Sequence, residues 1–250
     1  MLGTDTSTVA TPDANVSPLV GSRLSTVAAS ASVYAITSAL TVLVPVILLP
    51  VLTHYLTPED YGVVAMFQVL LGLYAAVVGL NVDGAVAREY FNAEIADYPA
   101  FVSSCVVILI VTGAMAFALS VLFKSLIVGF AQVPAFVVLA TPLVALAQGG
   151  IAIRSILWQV QARPIPFGLL KVGLSLLQVV LTVWLVVVLR YGWQGRVVAF
   201  ALASFLCMTV SLALARRDGL LPTRIRRDYI QRALAFGVPL VPHIVGSWAV

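Results

Sequence analysis

The chain has 250 residues, of which 61% are hydrophobic and only 10% charged, with a formal net charge of +4 and a mean hydropathy of +1.07. An ordinary soluble domain carries about 25% charged residues. This chain cannot cover a water-facing surface, so a soluble enzyme, a nucleic-acid-binding domain and a disordered protein are excluded.

Residues 1–22 are rich in Ser, Thr, Asp and Pro and lack the basic and short apolar regions of a signal peptide. They read as a disordered tail. Seven runs of 18 residues or more then follow without Asp, Glu, Lys or Arg. A helix crossing the hydrocarbon core needs about 20 mostly apolar residues, so spans are predicted near 29–54, 61–81, 100–123, 134–155, 168–189, 197–215 and 233–250. The runs are too long and too evenly apolar for the alternating strands of a barrel. The fold class is all-α, a polytopic membrane helix bundle. Its predicted organisation is a tail over 1–22, a six-helix lobe over 23–215, a basic loop over 216–232 and a seventh span over 233–250. The seventh run ends without a polar residue after it, as expected of a truncated span in a longer protein.

Lys and Arg gather in cytoplasmic segments. With a cytoplasmic N-terminus, the inside segments hold Arg23, Arg88, Arg154, Arg163, Lys171, Arg216, Arg217, Arg224, Arg226, Arg227 and Arg232, against Lys124, Arg190 and Arg196 outside. The N-terminus is therefore expected to be cytoplasmic. Tyr191 and Trp193 suit an aromatic belt at the outer interface.

The ten carboxylates lie in the tail or between the predicted spans, and His54 and His243 lack the spacing of a metal pair. No catalytic centre, metal site or cofactor motif is visible. Cys105 and Cys207 each sit in an apolar run and read as small buried hydrophobes. The fifth span carries Lys171, Ser175, Gln178 and Thr182 at spacings of 4, 3 and 4, which places them on one helical face. The first carries Tyr34, Ser38, Thr41 and Pro45 in the same way. Such stripes either line a shared polar cavity or glue helices together by hydrogen bonds. Pro45 and Pro50 should bend or break the first helix and are candidate hinges. The alternative is a static kink. Pro239 and Pro242 weakly echo that pair in the seventh span. Ala114 with Ala118, and Ala199 with Ala203, are spaced for close helix packing.

Three stretches, ILLPVLTHYLTPEDYGVVAMFQVL at 47–70, GLNVDGAVAREYFN at 79–92 and LAFGVPLVPHIVGSWAV at 234–250, resemble the oligosaccharide flippases, or polysaccharide biosynthesis membrane proteins, of the multidrug/oligosaccharidyl-lipid/polysaccharide exporter superfamily. The resemblance implies an N-terminal six-helix lobe, followed by a cytoplasmic loop and a second lobe. It also implies a bacterial plasma-membrane transporter that flips a lipid-diphosphate-linked oligosaccharide from the inner to the outer leaflet. That transporter would meet its lipid-linked substrate, membrane lipids and other polysaccharide-assembly proteins, but no nucleic acid. On that reading Arg88, Arg154 and Lys171 are candidate diphosphate contacts, since a guanidinium can grip a diphosphate through paired hydrogen bonds. Ser175, Gln178 and Thr182 would line the path. Inner-face cations equally well set topology and attract anionic lipid. A drug or cation antiporter of the same superfamily, and a membrane glycan polymerase or ligase, are the alternatives. An antiporter would be expected to bury a carboxylate in a helix.

Overall fold

The computed structural model describes residues 17–92, 97–220, 224–242 and 246, with side chains from residue 30 onward and Pro45 excepted. Nine α-helices are assigned among them: α1 Ser17–Tyr55, α2 Pro58–Val77, α3 Val82–Tyr90, α4 Tyr98–Leu122, α5 Lys124–Ala131, α6 Ala135–Val160, α7 Pro164–Thr182, α8 Gly192–Arg217 and α9 Arg227–Gly237. Six are long and apolar enough to cross a bilayer: α1 from Ser30, α2, α4, α6, α7 with its extension to Val188, and α8. The helical membrane bundle expected from composition is thus present.

Several helices run past the predicted bounds for one physical reason. Arg154 and Lys171 are expected at span ends and Arg196 just outside one, yet the helices continue past all three. A charge ends an apolar run in the sequence, but a packed bundle can take it in when a partner is at hand. α1 begins inside the predicted tail, at Ser17-Pro18, a pairing suited to a helix start. Residues 1–16 lie outside the described part. Residues 243–245 and 247–250 of the predicted seventh span, His243 among them, do too. What is seen there is α9 and a 3₁₀ turn at Val238–Leu240. Tyr229, Ala233 and Gly237 form the buried face of α9, at i, i+4 and i+8, and pack on α3 and α4.

The core is built around α4 and α6. Phe67, Phe101, Val137, Val138, Val144 and Val197 are fully or almost fully enclosed, and Phe101 meets Tyr229 of α9 edge to face at 5.8 Å. In α4 the packing face is Gly113, Ala116 and Ser120, whereas Ala114 and Ala118 are exposed, contrary to the pair predicted to pack. Glycine is needed where α4 meets α6: a Cβ at Gly149 would stand 2.5 Å from Leu109, and one at Gly113 2.9 Å from Leu146. Ala199 and Ala203 are both buried, as close packing requires, and so is Cys105. Cys207 is only partly covered. Trp193 packs against the core instead of lying free in a belt.

α1 is the peripheral helix. Ile36, Val42, Leu43, Val46 and Ile47 are exposed along it, and its main packing partner is α7. It runs as one helix through Pro45 and Pro50, so the predicted break is not there. Proline removes one donor per site and leaves the rest of the ladder to carry the helix.

The region after α2 differs most from the sequence reading. The span predicted over 61–81 is present as α2, which stops at Val77, and a further helix, α3, follows after Gly79, Leu80 and Asn81 at φ of 87°, 49° and 57°. Three successive left-handed residues turn the chain sharply. The Gly79 amide donates to Thr112 Oγ1 at 2.9 Å, and Thr112 is midway along α4. The interruption therefore sits in the middle of the bundle. From it α3 descends alongside α6, α4 and α9, and the Tyr98 hydroxyl donates to the Val86 carbonyl at 2.9 Å.

Candidate functional site

Two neighbouring cavities open among the helices. The first, of about 410 Å³, is lined by Thr37, Ser38 and Thr41 of α1, Gln148 of α6, Phe167, Lys171, Leu174, Ser175 and Gln178 of α7, and Phe200 of α8. The second, of about 320 Å³, is bounded by α2, the turn at Gly79–Asn81, the start of α3 and α6, and includes Asn81, Asp83, Gln148 and Lys171. Gln148 and Lys171 belong to both and form the partition between them.

The polar stripes of α1 and α7 thus face one space. The small residue Gly168 lets α1 approach α7 beside it, because a Cβ there would stand 2.8 Å from Thr37 Oγ1. Phe167 is met edge-on by Tyr34 at 5.1 Å, and the buried Tyr34 hydroxyl has no hydrogen-bond partner among the described residues. Gln148 is held in place: its Nε2 donates to Ser204 Oγ at 2.8 Å, and Ser204 Oγ donates to the Phe200 carbonyl. Lys171 makes neither a hydrogen bond nor an ion pair among the described residues, and Asp83 is the carboxylate that shares its cavity.

The remaining predicted site residues are placed elsewhere. Thr182 is fully buried. Its hydroxyl donates to the Gln178 carbonyl and accepts from Arg196 Nη1 at 2.8 Å, so it lines no cavity. Arg196, taken in the sequence as an outer-loop charge, is buried with its guanidinium 5.8 Å above the Phe200 ring. The π-helical stretch Val183–Val188 that follows Thr182 shapes this contact, and Gly195 rests against the Leu185 carbonyl, where a Cβ would stand 3.0 Å away. Arg154 is 3% exposed. It is paired with Asp218 and stacked 4.2 Å above Trp158, outside both cavities. Arg88 is 62% exposed and lies outside them as well. Its guanidinium is 5.1 Å above the Phe236 ring and 3.9 Å from Glu89, a buried carboxylate that also meets Arg232 and Asn92. Pro50 lines neither cavity, and the side chain of Pro45 lies outside the described part.

Sequence reasoning missed Asn81, Asp83, Gln148 and Thr37. Asp83 was set aside because it follows the second apolar run. The available signal was the Gly-Leu-Asn triplet before it, since Gly and Asn are the residues that accept left-handed backbone.

No protein-family model matches the sequence. No curated protein matches it either. Solved structures do. The chain is similar to a multidrug resistance MATE family transporter of the MOP superfamily in an outward-facing conformation, with 16% identity and a TM-score of 0.67 over 86% of this chain and 52% of that one. It is similar to a mutant MATE protein, at 16% identity and TM-score 0.64, over 85% and 52% of the two chains. It is also similar to a MOP superfamily transporter from Pyrococcus furiosus, described as having a binding pocket of reversed polarity, at 16% identity and TM-score 0.62 over 86% and 50%. The chain spans about half the length of each, and at this identity the likeness establishes the fold: a helical lobe of the kind found in MATE transporters of the MOP superfamily.

Proposed function

We propose that the chain supplies one lobe of a membrane transporter that moves a lipid-diphosphate-linked oligosaccharide from the inner to the outer leaflet of a bacterial plasma membrane, with its N-terminus cytoplasmic. The observation that carries this reading is Lys171, which faces both polar cavities and makes no hydrogen bond or ion pair among the described residues, Asp83 being the carboxylate that shares its cavity. An uncompensated ammonium inside an apolar bundle is costly. A diphosphate passing the cavity would compensate it, and Gln148, Ser175, Gln178 and Thr41 offer hydrogen bonds to sugar hydroxyls. The other candidate cations play lesser parts: Arg154 is committed to Asp218, and Arg88 sits at the outside of the lobe.

Asp83 favours a second reading. A carboxylate in the same cavity as a cation is the group that a drug or cation antiporter would need. The two are separated by one experiment in a complete transporter containing this lobe. Lys171→Gln should abolish surface polysaccharide at normal protein level, Lys171→Arg should restore it in part, and cationic drug resistance should not change. Loss of drug resistance in Asp83→Asn with intact polysaccharide would establish the antiporter instead.

A further inference from the structure

A narrow crevice of about 120 Å³ runs between α4, α6 and α8, with Leu109 between it and the second cavity. Its walls are almost wholly apolar, with Val106, Leu146, Met208 and Leu212 among them, and Ile110, 53% exposed, marks its open side. Arg154 forms part of its lining. One nitrogen of this guanidinium, Nη2, donates to Asp218, while Nε and Nη1 have no acceptor among the described residues although the residue is 3% exposed. Those two nitrogens carry three N–H groups. Buried donors left without acceptors are costly, the more so on a charged group. Asp218, by contrast, is 41% exposed at the end of α8.

We propose that this crevice binds a phospholipid with an amine-bearing headgroup, phosphatidylethanolamine. The three features fit three parts of that molecule. An acyl chain fills the apolar walls. The phosphate oxygens accept from Arg154 Nε and Nη1. The ammonium meets the exposed carboxylate of Asp218, which already neutralises Arg154 and would repel a purely anionic headgroup. Choline offers no N–H to Asp218, and glycerol offers no positive charge. Leu109 stands between the crevice and the second polar cavity, and what binds in the crevice does not depend on what the cavities carry.

Native mass spectrometry of the purified, delipidated chain tests this, with phosphatidylethanolamine, phosphatidylglycerol and phosphatidylcholine added singly at equal concentration. The wild type should retain phosphatidylethanolamine about tenfold more tightly than the other two, the effect of one charged hydrogen bond. Arg154→Met should lose that retention. Asp218→Asn, a change at an exposed side chain, should keep lipid binding but shift the preference to phosphatidylglycerol. Gel filtration confirms that each variant is folded. Equal retention of the three lipids by the wild type, tighter retention of phosphatidylglycerol, or an unchanged preference in Asp218→Asn overturns the proposal.

Discussion

Lys171 and Arg154 lie at similar depths, the first seven residues into α7 and the second six residues before the end of α6. Arg154 stands where α4, α6 and α8 come together, and there it finds Asp218 and the Trp158 ring. Lys171 stands on the side where α1 is bordered mainly by α7, and it faces two cavities, one of them shared with Asp83. A cation inside an apolar run is therefore structural or available according to what its neighbours supply. Residue type does not decide it. The lobe divides in the same way, into a half whose buried cation is paired and a half whose cation faces open polar cavities.

The sharpest way to break this division is to cut into each half. Phe101→Ala, on the packed side, should lower stability by about 3 kcal/mol, as expected for a fully enclosed aromatic ring. Leu43→Ala, on exposed α1, should stay within about 0.5 kcal/mol. Thermal unfolding in detergent measures both, and similar losses would mean that α1 is part of the core after all.

Gly237→Ala comes next. Any side chain at Gly237 would run into the Leu80 carbonyl, so α9 must move away from the turn. The expected cost is about 1–2 kcal/mol, with faster proteolysis of the 218–226 connection. Unchanged proteolysis would show that α9 does not belong to the packed half.

Arg154→Met should cost about 1 kcal/mol, a modest figure because its carboxylate partner is partly solvated. Lys171→Met should leave stability unchanged or raise it, since it removes a charge with no partner. Two equal losses in the same unfolding assay would erase the contrast between the two cations.

The smallest effect belongs to Arg88→Lys in a complete transporter. Lysine keeps both the charge beside Glu89 and the contact with Phe236. Export of surface polysaccharide should stay within about twofold of wild type, given that surface substitutions are mostly mild. A severe loss would restore Arg88 to the substrate path, as the sequence reading had it, and move the site toward α3.

The contrast also explains what the sequence could reveal. The six crossings are legible because a helix in a bilayer must be apolar over a length set by the membrane, and the α1 and α7 stripes are legible because the helical period puts them on one face. The pairing of Arg154 with Asp218, 64 residues apart, and of Arg196 with Thr182, 14 apart, depends on which helices are neighbours. Composition holds no record of that. Asp83 was hidden for a related reason: its depth depends on a backbone turn, and counting charge-free residues assigns every charge to a loop. Gln148 gives only a sparse signal: it stands seven residues from both Thr141 and Ser155, between long apolar runs of α6.

The interruption at Gly79–Asn81 has a consequence for how the protein is made. Among the six crossings α2 has the lowest mean hydropathy. The groups that satisfy the turn and α3 come later in the chain: the Gly79 amide waits for Thr112, 33 residues on, and the Val86 carbonyl for Tyr98, 12 residues on. When residues 77–90 emerge from the ribosome, both partners still lie behind them in the nascent chain. In a bilayer, exposed peptide groups without partners cost several kcal/mol each. The segment must therefore remain in water or in the insertion machinery until α4 arrives. The turn that ends the second crossing is completed only by the helix that follows it.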